Sequence, residues 1–181
     1  SNELKNRAVT DPLTRFYTVR YFTLLLDQKI AARENNISVV CLGVRDYRRL
    51  SRQYGFEELK SFTRGFARFL EVNFREAVKR PVFARSVDGR YYVLVTRVPR
   101  QRLRELVNKV ADGVEKAGFS FGDEVEHVSV QRAIVYGCAL EGMTGRRLFY
   151  LAENALEEVV KDDVRELREV NVQERVWDAE K

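Results

Sequence analysis

Two hydrophobic periods alternate along the chain, one near 3.6 residues and one near 2, and their order predicts the fold. From Thr18 to Asn35, Tyr21, Phe22, Leu24, Leu25 and Ile30 recur at helical spacing until Asn35-Asn36 closes a first helix. Ile37 to Val44 is an unbroken, β-branched apolar run, as expected of a central strand buried on both faces. A stripe of Tyr47, Leu50, Tyr54, Leu59, Phe62, Phe66 and Phe69 predicts one long helix over 47–76, kinked near Gly55. Pro81–Ser86 and Tyr91–Arg97 are strand patterns around Val87-Asp88-Gly89-Arg90, where Asp-Gly signals a two-residue hairpin. Leu103, Leu106, Val107, Val110 and Val114 mark a further helix that stops at Gly118. Val128 to Ala139 predicts a strand, Leu148 to Val159 a helix, and Arg165 to Val172 an edge strand.

Strand, helix, strand pair, helix, strand is the split βαβ pattern, so the predicted class is α+β, a mixed sheet with helices packed on one face. Residues 1–8 are expected to be the end of a longer helix, with Ser1-Asn2 as a tag remnant, because Thr10-Asp11-Pro12 breaks the helical pattern. The domain is expected over 9–172, and 173–181 form a tail with no clear period.

Composition narrows the chemistry. At 181 residues and 45% apolar, the chain suits one domain, and it has no apolar run long enough to span a membrane. The cytoplasm is the expected compartment. Cys41 and Cys138 each lie inside apolar runs, as buried reduced thiols do, and His127 is the single histidine, which leaves little for a zinc site or a histidine base. The net charge of +5 is unevenly spread: 45–104 hold sixteen Lys/Arg against six Asp/Glu, and 151–181 hold five against ten. A basic middle serves nucleic acid, nucleotide or an acidic partner, or is a solvated surface, the plainer reading.

Three motifs in order carry a resemblance. Thr10-Asp11-Pro12-Leu13-Thr14 with Arg20-Tyr21-Phe22, then Arg45-Asp46-Tyr47-Arg48-Arg49-Leu50-Ser51-Arg52-Gln53-Tyr54-Gly55, then Phe83-Ala84-Arg85-Ser86 leading into the hairpin, resemble GGDEF domains, which condense two GTP molecules into cyclic di-GMP. The resemblance spans about 8–170 and implies a palm-type, nucleotide-cyclase-like sheet. It also implies an N-terminal signal motif at Asp11, Leu13 and Thr14. The family's chemistry needs carboxylates that hold magnesium against GTP phosphates. By the motif spacing those positions are Gly43 and Arg90, and the signature is Val87-Asp88-Gly89-Arg90-Tyr91. A guanidinium cannot deprotonate and repels a dication. The guanine-recognising positions fall on Ser51 and Lys60, the late phosphate-holding positions on Val160 and Val164, and the product-inhibition motif on Val78 and Pro81.

The resemblance therefore implies a degenerate domain without catalytic residues, metal or cofactor. The first expectation is a regulatory module that contacts a protein partner or adjacent domains. The second is a sensor that binds GTP or cyclic di-GMP in the altered cleft, through Arg90, Lys60 and Ser51. The third, nucleic-acid binding by the 45–104 region, has only Tyr91 and Tyr92 as a stacking pair. A dimer is compatible with all three. Asp88-Gly89 is taken as an ordinary turn, Arg85 and Arg90 as exposed strand-end charges, and Gly122-Asp123-Glu124-Val125 as a decoy of the signature lying outside any hairpin.

Overall fold

Five strands form one mixed sheet in the order β2-β3-β1-β6-β7. The computed structural model describes residues 9–137, 141–162 and 166–172. Its elements are α1 (Val19–Ala31), β1 (Ile37–Val44), α2 (Tyr47–Gln53), α3 (Phe56–Ala77), β2 (Val82–Arg85), β3 (Arg90–Val95) and α4 (Arg100–Ala117). Then come β4 (Phe119–Phe121), β5 (Glu124–Glu126), β6 (Val130–Gly137), α5 (Gly145–Lys161) and β7 (Leu167–Asn171). β1 is antiparallel to β3 and β6, β2 is antiparallel to β3, and β7 runs parallel to β6. The α+β class, the central β1 and the edge strand β7 match the sequence reading.

The helices cover both faces of the sheet, not one. Every residue of β1 is buried, so its alternating side chains need apolar partners on each side. Val40, Leu42 and Val44 pack with Phe62, Phe66, Leu70 and Phe74 of α3 and with Leu103, Val107 and Val110 of α4. Ile37, Val39 and Cys41 pack with Phe22 and Leu26 of α1 and with Leu148, Ala152 and Leu156 of α5. Cys41 is a buried thiol whose ionisation burial strongly disfavours. Cys138 lies outside the described residues.

Three boundaries differ from expectation. The first helix stops at Ala31, because Arg33 and Asn36 turn the chain at φ 54° and 53°. The predicted long helix is two: Tyr54 and Gly55 are extended, and Gly55 stands ahead of α3 as its N-terminal flanking residue. The sequence reading also passed over the β4–β5 hairpin. Gly122-Asp123 is its two-residue turn, with Gly122 at φ 68°, so this stretch does lie in a hairpin. That hairpin forms a separate sheet, held to α3 by Phe121 stacked on Phe62 at 4.5 Å.

The signature turn has three loop residues, not two. Ser86 N–H donates to the Arg90 carbonyl at 3.0 Å, which leaves Val87, Asp88 and Gly89 outside the ladder. Within that turn only Gly89 has positive φ, 78°. A type I turn followed by a left-handed glycine has this geometry.

Candidate functional site

The cleft that the motifs point to is a cavity of about 630 Å³ between the end of β1, α2, the signature turn and α5. β1 and β3 place Gly43 and Arg90 as Cα partners. Strand alternation puts both on the α5 side of the sheet, since Cys41 and Tyr92 pack there too.

Each position is occupied from α5. A Cβ on Gly43 would stand 3.2 Å from a Leu156 methyl carbon, so an apolar side chain covers this strand end. Arg90 donates through Nη2 to Glu157, and its Nη1 lies 3.9 Å from Glu153. Its side chain is 18% exposed. Burial alone would lower the Arg90 pKa, but the hydrogen bond and charge of Glu157 outweigh it and hold the guanidinium protonated. Glu153 also accepts from Tyr92 Oη at 2.5 Å, and burial above all keeps that phenol protonated. Arg90 is thus a half-buried bridge from β3 to α5 rather than an exposed strand-end charge. The reason is helical spacing: Glu153 and Glu157 are one turn apart and share a face.

The remaining expected site residues divide between the cleft and the rest of the surface. Ser51 lines the cleft, and its Oγ donates to the Tyr47 carbonyl at 2.8 Å, as helical serines do. Val160 lines it from α5 and is exposed. Val87 projects from the turn at 85% exposure, while the Asp88 carboxylate accepts from Ser86 Oγ. Tyr91 is buried on the α3 face, 4.8 Å from Phe66, and points away from the cleft. Lys60 is absent from the lining; it pairs with Glu57 at 3.2 Å and sits 4.8 Å from the Phe56 ring. Val164 lies outside the described residues.

Residues given no site role in the sequence, two of them inside the Arg45–Gly55 motif, complete the cleft. The Tyr47 ring lies against Gly89, where a Cβ would meet it at 2.5 Å. Arg45 pairs with Glu166, and Gln131 is a buried amide in the wall. The signal for Glu153, Glu157 and Leu156 was present in the sequence as acids interleaved with the apolar stripe of α5.

The N-terminal motif forms a separate clasp. Asp11 accepts from Thr14 Oγ1 at 2.7 Å and from Arg85 Nε at 2.8 Å. Both ionic side chains are largely shielded, so Arg85 is not an exposed charge either. Burial would raise the Asp11 carboxyl, but hydrogen bonds from Arg85 and Thr14 and the Arg85 charge hold it below its ordinary value. Tyr17 then lies along β2, its N–H on the Phe83 carbonyl at 2.9 Å. Leu13 N–H completes the turn onto Asp11 Oδ1 at 3.4 Å.

Solved structures share this architecture. The GGDEF domain of FimX from Pseudomonas aeruginosa superposes with a TM-score of 0.76 at 14% identity, covering 89% of this chain and 98% of its own. The GGDEF domain of DgcB from Caulobacter crescentus, in complex with c-di-GMP, gives 0.73 at 18%, covering 91% and 93%. The diguanylate cyclase SiaD from Pseudomonas aeruginosa, in complex with its activator SiaC, gives 0.77 at 18%, covering 94% and 64%. At these identities the likeness is one of fold. No curated protein sequence matches the chain. Among the described residues, no helix is long and apolar enough to cross a membrane. The profile of the diguanylate cyclase GGDEF domain family matches residues 8–165, and the chain belongs to that family.

Proposed function

We propose that this GGDEF domain makes no cyclic di-GMP and serves as a regulatory module that contacts a protein partner or neighbouring domains in cyclic di-GMP signalling. The observation that carries this reading is the Gly43–Arg90 pair under α5. A magnesium site needs several oxygen ligands free to turn to the ion. Here one position has no side chain and is covered by Leu156, and the other holds a guanidinium. Glu153 and Glu157 of α5 are turned to Arg90, and of the two carboxylates that line the cleft, Asp46 and Asp88, the second accepts a hydrogen bond from Ser86. A guanidinium and a bare glycine at the paired strand positions do not fit a dication. Relatives by fold support the regulatory role: SiaD is bound to an activator protein, and LapD of Vibrio cholerae carries its GGDEF domain beside an EAL domain.

Incubation with GTP and magnesium or manganese, followed by chromatography for cyclic di-GMP, is the deciding experiment. No product is expected, and a catalytic yield that scales with enzyme would overturn the proposal.

The second reading is a nucleotide sensor. It draws on the cleft itself, which keeps a volume of about 630 Å³, within the range of small-ligand pockets. Calorimetry with GTP and with cyclic di-GMP, with and without magnesium, separates the two. Magnesium-independent saturable heat that Ser51→Trp abolishes would establish the sensor. The nucleic-acid reading loses its aromatic support, because Tyr91 and Tyr92 are both buried.

A further inference from the structure

Away from the cleft, a second cavity of about 610 Å³ lies between the N-terminal turn, α3 and the start of β2. Its floor is apolar, with Phe16 and Phe83 stacked 5.0 Å apart. Its rim carries Arg15, Arg64, Arg68, Arg75 and Arg80 against a single acid, Glu71. Glu71 is taken by Arg75 at 3.1 Å, and the Arg75 guanidinium also lies 5.4 Å from the Phe83 ring centre. The other four arginines are exposed and have no acidic partner among the described residues. Elsewhere Arg45, Arg85, Arg90, Arg104 and Arg168 each meet a carboxylate.

The spacing defines the shape of what would fit. Arg64, Arg68 and Arg75 fall on one face of α3 and span about 17 Å at a rise of roughly 1.5 Å per residue. Like charges one turn apart destabilise a helix, so a bound polyanion would relieve a repulsion built into the fold. A compact anion cannot meet charges spread over that length. Nucleic acid would want free ring faces for its bases, but Phe16 and Phe83 are buried and Tyr17 lies 4.9 Å from Tyr21.

We propose that this groove docks an acidic segment of a partner protein, with its carboxylates on Arg64 and Arg68 along one wall and on Arg15 and Arg80 along the other. Guanidinium forks suit carboxylates in bidentate geometry. The occupant would lie against Leu13–Tyr17, the segment clasped to β2 by Asp11 and Arg85, so docking and the position of the leading chain are linked. The inference stands whether or not the cleft turns over nucleotide.

Fluorescence anisotropy of a labelled glutamate-rich helical peptide, at low and at physiological ionic strength, tests it. Arg64→Glu with Arg68→Glu is expected to weaken binding by roughly tenfold or more, and Arg146→Glu with Arg147→Glu on α5 by less than about twofold. A second reversal on the facing wall, Arg15→Glu with Arg80→Glu, gives the same loss and keeps the test open if the first variant does not fold. Three results would overturn the proposal: no peptide binding at low salt, equal losses in groove and control variants, or tighter, arginine-dependent binding of a single-stranded oligonucleotide.

Discussion

Gly43 on β1 and Arg90 on β3 are cross-strand partners, and α5 answers both, with Leu156 laid over the glycine and Glu157 bonded to the guanidinium. The helix face and the strand ends therefore specify each other. Apolar contact is matched to the missing side chain, and acid is matched to base.

The packing half of that relationship is testable by a double-mutant cycle. Gly43→Ala places a methyl 3.2 Å from Leu156, and overpacking of this kind costs roughly 1–3 kcal/mol. Leu156→Ala alone costs about 2–5 kcal/mol through the void it leaves. Combined, the two are expected to fall short of additivity by about 1 kcal/mol, read from urea denaturation. Strict additivity would mean that the contact carries no energy.

The electrostatic half predicts that Arg90→Ala destabilises the domain by about 1–2 kcal/mol, between the values for exposed and buried pairs. Arg90→Lys is expected to recover only part of this. A lysine offers a point charge where the two terminal nitrogens of Arg90 now face Glu157 and Glu153. Full recovery by lysine would show that charge alone matters.

Gly89→Ala meets two penalties, a left-handed backbone at φ 78° and a clash with the Tyr47 ring. The first costs roughly 1–2 kcal/mol and persists in any background. The second should vanish when Tyr47→Ala is added, so the double variant is expected to be less destabilised than the sum of its parts. Thermal or chemical melts of the four species measure this.

Acid should loosen the N-terminal clasp. The folded Asp11 carboxyl titrates below its unfolded value of about 3.9, so its stabilisation is complete above that pH and is lost as the pH falls through the folded pKa. Wild type and Asp11→Asn are therefore expected to differ in stability near neutrality and to converge at strongly acidic pH. A difference that stays constant down to that range would assign the clasp's energy to packing instead.

Most of the architecture was legible because burial writes a period into the chain. Ile37–Val44 is unbroken because both its faces are covered, and α3 and α5 carry clean apolar stripes. The β4–β5 hairpin was not legible: three-residue strands are too short to give an alternation to read, even though the glycine stop at Gly118 had already set Phe119 and Phe121 outside α4. Helices on both faces could have been inferred from β1 itself, but the split βαβ pattern suggested a one-sided packing. At the site, the structure brings Gly43, Arg90 and Ser51 to one cleft and leaves Lys60 out of its lining. The lysine turns to Glu57 one helical turn away. Nor does spacing reveal partnership: that Arg90 and Arg85 are shielded depends on Glu157 and Asp11, one far later and one far earlier in the chain.

A guanidinium anchored on a strand differs from a dissolved cation in one practical respect. It cannot be chelated, exchanged or diluted away, because its local concentration is fixed by the covalent chain. The joint between β3 and α5 is accordingly self-contained, and its integrity owes nothing to the ionic composition of the medium beyond ordinary screening.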